Sequence, residues 1–489
     1  MLTLFLLFLT TSIAYDSACH HCDHDILVSV LETFPVLYPT STSYVCTENE
    51  AIAIMHENLD FFFSHHQISS PNQTEILIFP EEALFGDEFE PEHRIHWDLL
   101  QNFQIELPHY SSLGLSLCPT SSSNPNQELY HHPILVHIAC EAKHRGTWTT
   151  LNLADFDPVK QQRYNTIIII DNQGRFQGKY HKRHLFPDDL NLFSPGEDRV
   201  EIVEINGKKF GFLICFDIFF VQPIKELVSK GVEDVIYTTY WVNYAHVPYI
   251  SAVTIQQAFS RVYGVRVYAS NMNVGYYHSG SGIYDSGRPI AYTFNTNKGE
   301  KVTRVLRSDG QVEGIRNPRS SMKQKERKRR PITRDDNAKL HVEPFIARPK
   351  NSHSFRYDLT DNGETLVGCE LNITIENTRG NETFAFIVYS GLLVDLVPVQ
   401  LCGLIRCTNP SSCFTNDFEI NTSTSFASFD LASTFEQGKE STPAFPLIAT
   451  DNAQLLEVDT FDSDYETKLI LRRKNSVLLN AFLLKSFEN

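Results

Sequence analysis

The sequence predicts a layered α/β domain followed by a smaller, disulfide-containing β-rich domain. Three observations carry this reading. From about residue 25 to 305, short apolar runs rich in β-branched residues alternate with segments of helical apolar spacing, a pattern that buries a sheet on both faces. The composition then changes abruptly at "RNPRSSMKQKERKRRPITRDD" (316–336), which is polar, basic and nearly free of aromatics. Beyond residue 340 the chain turns to short β-rich runs and holds four of its ten cysteines. At 489 residues it is too long for one ordinary core, so division into domains is expected.

Taken in order, "NEAIAIMHENLDFFFSHHQ" (48–66) has helical spacing and "EILIFP" (75–80) reads as a short buried strand. "HPILVHIACEAKHR" (132–145) reads as a helix and "TWTTLNLADF" (147–156) as an alternating strand. "NTIIIIDNQG" (165–174) is a β-branched run closed by a turn signal, and "KKFGFLICF" (208–216) is another strand. "VQPIKELVSKG" (221–231) predicts a helix with Pro223 in its first turn and Gly231 as its stop. A strand at 232–241, a helix at 250–264 and a strand at 265–271 complete the alternation.

The amino terminus reads "MLTLFLLFLTTSIAYDSACHHCD". Its apolar core is too short to span a bilayer and leads to Ser12-Ile13-Ala14, the pattern of a secretory signal covering residues 1–14. Sequons at Asn72, Asn372, Asn381 and Asn421 agree with export. No later run is long and apolar enough for a transmembrane segment, and the expected location is extracellular. In that compartment Cys369, Cys402, Cys407 and Cys413 are disulfide candidates that staple the C-terminal region. Cys19, His20, His21, Cys22 and His24 are metal-ligand types, but their place beside the cleavage site favours frayed chain or a terminal disulfide, so no metal is assigned. A formal net charge of −17 argues against nucleic acid or an anionic membrane as partner.

Three segments each set a reactive residue after an apolar run: Glu81 in "ILIFPEEALFG", Lys182 in "GKYHKRHLF" and Cys215 in "FLICFDIFF". Singly, each has a bland reading. A free cysteine is more often core than nucleophile, a glutamate after proline more often a helix-start acid, and a lysine in "HKRH" more often a solvated turn. Together they match the needs of amide cleavage. A thiol attacks the poor electrophile and passes through a thioester. A carboxylate takes the thiol proton, returns it to the amine and then activates water. An ammonium, with the backbone N–H of Phe216, holds the oxyanion. A cysteine protease would need a histidine partner, and none of the nineteen histidines sits in such a context.

The order Glu81, Lys182, Cys215, with flanks F-P-E, Y-H-K-x-H-L-F and C-F-D, resembles the carbon–nitrogen hydrolase (nitrilase) superfamily. "TTYWVN" (238–243), "GSGIY" (280–284) and "VQLCGLIRC…C", ending at Cys413, bring it nearest the vanin and biotinidase branch. The resemblance implies an α-β-β-α nitrilase-like sandwich over 25–305, a basic linker over 306–340 and a vanin-type β-rich domain over 341–489. It also implies a pocket near Trp241 and Asn243, no cofactor, and a small linear amide as substrate. Pantetheine, cleaved to pantothenate and cysteamine, is the first expectation; biotinyl amides such as biocytin are the alternative. A secreted binding or adhesion protein without turnover is the competing reading from another class.

Overall fold

The computed structural model describes residues 26–35, 47–66, 73–84, 100–119, 132–187, 189–243, 250–274, 278–295, 302–316, 338–393, 397–407, 413, 422–436, 441–449, 460–462, 467–471, 476–477 and 480–487. The leader at 1–14, Cys19, Cys22, His24, Asn72 and Asn421 lie outside them, as does the basic run at 317–337.

The first domain is built on two facing mixed sheets. In one, the strand order is Val312–Arg316, Val302–Arg307, Ile26–Glu32, Thr74–Ile78, Thr147–Asp157, Gln162–Ile170, Phe176–His181, with Gln104–Ile105 pairing beside Thr147–Asp157. In the other it is Arg288–Thr293, Ser281–Asp285, Arg266–Asn271, Asp234–Thr239, Lys208–Ile214, Ile202–Ile205. Each sheet has three adjacent parallel strands at its centre. Both faces of these strands are buried, which is why they read as nearly unbroken apolar runs.

Alternation sorts the side chains between layers. Val28, Val30, Ile76, Ile78, Ile167 and Ile169 meet Phe210, Phe212, Ile214 and Val235 of the opposite sheet. Leu31, Leu77, Leu151, Leu153, Ile168 and Ile170 point the other way, onto helices α1 (Glu48–Ser64) and α2 (Pro133–Arg145). Helix α1 starts at Thr47, whose hydroxyl accepts from the Glu50 N–H while the Glu50 carboxylate accepts from the Thr47 N–H. Gly146 ends α2 at φ +67°, a left-handed conformation that glycine adopts without strain. A bridge between Cys118 and Cys140 ties α2 to the segment before it.

The second sheet is covered by the short helix α3 (Ile224–Ser229) and by α4 (Ala252–Tyr263). Residues 252–260 of α4 are all buried, because the helix lies between its own sheet and the C-terminal domain. The Phe445 ring stands 6.4 Å from Phe259 and 6.3 Å from Tyr263. The layers are therefore α-β-β-α, with a further sheet packed outside the second helix layer.

The C-terminal domain is an antiparallel sandwich. Five strands run in the order Lys339–Ile346, Thr383–Leu393, Val397–Cys407, Asn480–Ser486, Phe445–Ala449. The facing sheet contains Ser352–Asp361, Glu364–Asn377, Ser425–Phe435, Thr467–Leu471, Thr460–Asp462 and Ser476–Val477. A disulfide between Cys369 and Cys402 joins one sheet to the other, and a second links Cys407 to Cys413. Among the described residues, no helix is long and apolar enough to cross a membrane.

Several expected boundaries need correction. The linker does not begin at 306: Val302–Arg307 and Val312–Arg316 form a hairpin on the first sheet. Its charged residues hid it, although Val302–Arg307 is almost wholly buried beneath its neighbours and only Val312–Arg316 lies at the sheet edge. Lys339 already belongs to the C-terminal sandwich. The helix expected over 221–231 is confined to Ile224–Ser229.

Candidate active site

Each of the three candidate side chains follows a strand in the same orientation. Thr74–Ile78 continues through Phe79 and Pro80 to Glu81, Phe176–His181 leads directly to Lys182, and Lys208–Ile214 to Cys215. The first two strands belong to one sheet and the third to the other. The three residues thus collect at the carboxyl ends of parallel strands, where the sheets face each other.

The strand expected over 208–216 stops at Ile214, because Cys215 takes φ +43° and opens a 3-10 turn, Cys215–Phe219. A non-glycine residue in that region costs on the order of 1–3 kcal/mol and persists only where its surroundings fix it. Here the Asp217 carboxylate accepts from the Ile214 N–H at 3.0 Å and the Tyr180 hydroxyl at 2.9 Å. Its other oxygen accepts from the backbone N–H and Nδ1 of His184 at 3.0 and 2.9 Å. One wholly buried carboxylate thereby joins the cysteine turn to the loop after Lys182. Tyr237, from the neighbouring strand, donates its hydroxyl to the Cys215 carbonyl at 2.8 Å.

Glu81 and Lys182 form an ion pair at 2.8 Å with both side chains 2% exposed. Glu81 Oε1 also accepts from Asn165 Nδ2 at 2.8 Å, and Oε2 from the Tyr240 N–H at 2.7 Å. Asn165 is oriented in turn by Asn152 Nδ2, which donates to its Oδ1 at 2.6 Å. Lys182 Nζ reaches a second carboxylate, Asp189 Oδ2, at 2.6 Å. Glu82 touches this network through its backbone. Its φ is +57°, and its N–H donates to Asn152 Oδ1 at 2.9 Å.

The electrostatics follow from burial and charge count. Burial raises the Glu81 carboxyl above its ordinary 4.5, and Asp189 adds to this against the pull of Lys182. Burial pushes the Lys182 ammonium down, but the carboxylates of Asp189 and Glu81 more than reverse it and hold it well above 10.5. Burial pushes the Cys215 thiol well above 9.0, reinforced by Glu81 and opposed by Lys182 and by a hydrogen bond from Thr239. The resting site therefore holds a neutral thiol beside a carboxylate that is a stronger base than usual. A carboxylate has about four acceptor positions; three on Glu81 are filled by the donors above, leaving one for a transferred proton.

The remaining candidate positions fall around this centre. The Phe216 ring is buried edge-on against Phe186 at 5.6 Å and Phe219 at 5.6 Å. Trp241 packs 5.5 Å from Phe219 and gives its indole N–H to Ile250 O. The Asn243 side chain is committed to the backbone, donating to Ser279 O at 2.9 Å and accepting from the Ala252 N–H at 2.8 Å, where it starts α4. It shapes the wall rather than presenting its amide to a ligand. Asn381 is exposed, while Asn372 is half-buried and donates to Glu370. Cys215 is a free thiol among the described residues, and no metal-binding group of three or more His, Cys, Asp or Glu occurs among them.

Asp189, Asn165 and Asp217 were not singled out from the sequence. Asp189 had a usable signal, a carboxylate seven residues beyond Lys182 after "HLFP". Asp217 stood in the C-F-D motif but was given no role, and Asn165 had no signal, because its partner Glu81 comes from a distant segment.

Comparison with known proteins gives a consistent picture. The carbon-nitrogen hydrolase family model matches residues 61–273, and the vanin C-terminal domain model matches residues 340–483. Pantetheinase from Bos taurus is 24% identical over 427 residues, 84% of this chain and 80% of that protein. Pantetheinase from Homo sapiens is 24% identical over 432 residues, 85% of this chain and 80% of its own. Biotinidase from Takifugu rubripes is 26% identical over 259 residues, 50% of this chain and 48% of that protein.

Proposed function

The chain belongs to the carbon–nitrogen hydrolase superfamily, in the branch that carries a vanin C-terminal domain, and from that premise we propose that it is a secreted pantetheine hydrolase. The observation that carries the chemical part is the meeting of Glu81, Lys182 and Cys215 from two sheets in a buried, charge-coupled cluster.

In this reading Glu81 accepts the thiol proton as the Cys215 sulfur attacks the amide carbonyl. Lys182 and the Phe216 N–H hold the resulting oxyanion. Glu81 returns the proton to the departing amine, and the acyl group stays on sulfur as a thioester. Water, deprotonated by Glu81, then releases the acid. A buried pair is suited to this work because charge–charge terms weaken little in a site that excludes solvent.

Pantetheine is favoured over biotinyl amides by the extent of the matches. The pantetheinases of Bos taurus, Mus musculus, Homo sapiens and Sus scrofa align along 80% of their length, that of Canis lupus familiaris along 55%, and biotinidase along about half. Export is supported by the apolar leader at 1–14 and by disulfides in both domains. The test is hydrolysis of pantetheine and of biocytin by the purified secreted protein, with Cys215→Ala as control. Release of cysteamine from pantetheine alone supports the reading. Biocytin turnover alone would redirect the substrate, and no turnover of either would favour a binding protein on the same scaffold. Intact mass of the secreted chain checks cleavage after Ala14 and glycans at Asn72, Asn372, Asn381 or Asn421.

A further inference from the structure

The cysteine turn is held from a place far along the chain. Ser486, in the last strand of the C-terminal sandwich, lies at 0% exposure and donates its hydroxyl to Phe219 O at 2.6 Å. Phe219 is the last residue of the 3-10 turn that Cys215 begins. The direction of this bond is fixed by the carbonyl, which can only accept. A serine hydroxyl has one proton to give. The Ser486 N–H donates to Thr442 Oγ1 at 3.1 Å, and Thr442 Oγ1 stands 2.9 Å from Ser486 Oγ. With the Ser486 proton committed to Phe219 O, the one Thr442 proton is shared between Ser486 Oγ at 2.9 Å and Ser486 O at 3.3 Å. Thr442 thus brackets Ser486 while the Ser486 hydroxyl reaches the turn.

We propose that Ser486 is a positioning residue for the reaction, through which the C-terminal domain holds the turn that presents Cys215. The inference rests on the reading of Cys215 as nucleophile. The turn starts in an uncommon backbone conformation, so its geometry depends on what grips it. Asp217 and Tyr237 grip the start from within the first domain. At the far end the hydroxyl of Ser486 supplies a grip from the other domain. The surrounding contact is apolar and continuous, with Phe445 against Phe259 and Tyr263 on α4, so the strand that carries Ser486 sits on a packed interface. A small shift of a nucleophile from its productive position is expensive in rate and cheap in binding. The C-terminal domain is on this account a working part of the hydrolase.

The test compares Ser486→Ala with Ser433→Ala in the full-length protein. Ser433 also gives its hydroxyl to a backbone carbonyl, Gly368 O at 3.0 Å, but wholly inside the C-terminal sandwich. Ser486→Ala removes two contacts of a buried hydroxyl and Ser433→Ala removes one, so both should lower Tm, the former somewhat more, and the comparison is read on kcat. With pantetheine as substrate, Ser486→Ala should reduce kcat by about tenfold and leave KM within about twofold. Iodoacetamide labelling of Cys215, followed by mass spectrometry, should slow in the same variant. Ser433→Ala should keep the wild-type kcat and labelling rate. Equal kcat in the two serine variants overturns the proposal. If Ser486→Ala is not recovered folded, Ser486→Cys retains the size with only a weak donor. An intermediate kcat there supports the strut, and a wild-type kcat overturns it. Inactive wild-type protein, or an active Cys215→Ala variant, would instead strike at the hydrolase reading.

Discussion

Lys182 Nζ lies 2.8 Å from Glu81 Oε1, an ion pair almost wholly withdrawn from water. Removal of Lys182 would strand the buried carboxylates of Glu81 and Asp189 without their cation, whereas removal of Glu81 leaves Lys182 paired to Asp189. Glu81→Gln keeps the shape but loses the proton acceptor. It should lower kcat by at least about a hundredfold, as expected for loss of a general base. Glu82→Gln is the internal comparison, since Glu82 points its backbone into the Asn152 amide and is absent from the Lys182 pair. It should change kcat by less than about threefold, in the range of a minor change away from the reacting groups. Steady-state kinetics on both variants checks this, and equal mild effects would mean that the base is elsewhere.

Cys215→Ser should lose nearly all turnover. The serine hydroxyl ionises far less readily than the thiol and begins from the same dry site. Electrospray mass spectrometry of the wild-type protein, quenched during turnover, should show an acyl adduct on the peptide containing Cys215. Its absence from an active enzyme would remove the thioester route.

The pH profile carries the sign of both buried shifts. Glu81 must be ionised, and burial raises its carboxyl, so the acid limb of kcat/KM should lie above 4.5. Lys182 is held well above 10.5, so it stays charged across the working range. The stability it contributes is present below about pH 10.5 and is lost only as the pH rises through its folded value. Asp189→Asn removes the larger of its two carboxylate supports and leaves the burial that pushes it down. In that variant the alkaline limb should move to lower pH. An unchanged limb would mean that Asp189 does not hold the lysine.

Asp217→Asn replaces an acceptor of four bonds with a group that must turn its NH2 toward other donors. A buried donor left unsatisfied costs about 1–3 kcal/mol. Tm should fall by several degrees, and kcat should fall because the same carboxylate joins the Cys215 turn to the Lys182 loop. Calorimetry with steady-state kinetics reads both. Loss of Tm without loss of kcat would confine Asp217 to stability.

Much of the architecture was legible because it rests on local patterns. The "NTIIIIDNQG" and "EILIFP" runs sit in doubly buried strands, and the α1, α2 and α4 spacings became helices. What escaped depends on neighbours that are distant in sequence. The hairpin Val302–Arg316 looked like linker because of its arginines; pairing with Ile26–Glu32 buries Arg307 and partly buries Arg304, which sits on Glu32. The order of Glu81, Lys182 and Cys215 was visible, but the second carboxylate on Lys182 and the asparagine pair behind Glu81 emerge only when strands from separate segments align. The end of the cysteine strand at Ile214 was likewise invisible, since "FLICFDIFF" has no residue that announces a turn.

The deep seat of Cys215 also bears on how the chain makes its cross-links. Thiol–disulfide exchange proceeds through a thiolate and needs access to the attacking sulfur. Cys118 pairs with Cys140 and Cys369 with Cys402, and while such bridges form an exposed thiolate would be drawn into wrong ones. Once the two sheets close, Cys215 is 8% exposed and held in the neutral form. The same burial that makes the thiol wait for Glu81 and a substrate keeps it out of oxidative folding. A chain that has not yet brought its sheets together has no such protection, so completing the fold and safeguarding the nucleophile are one event.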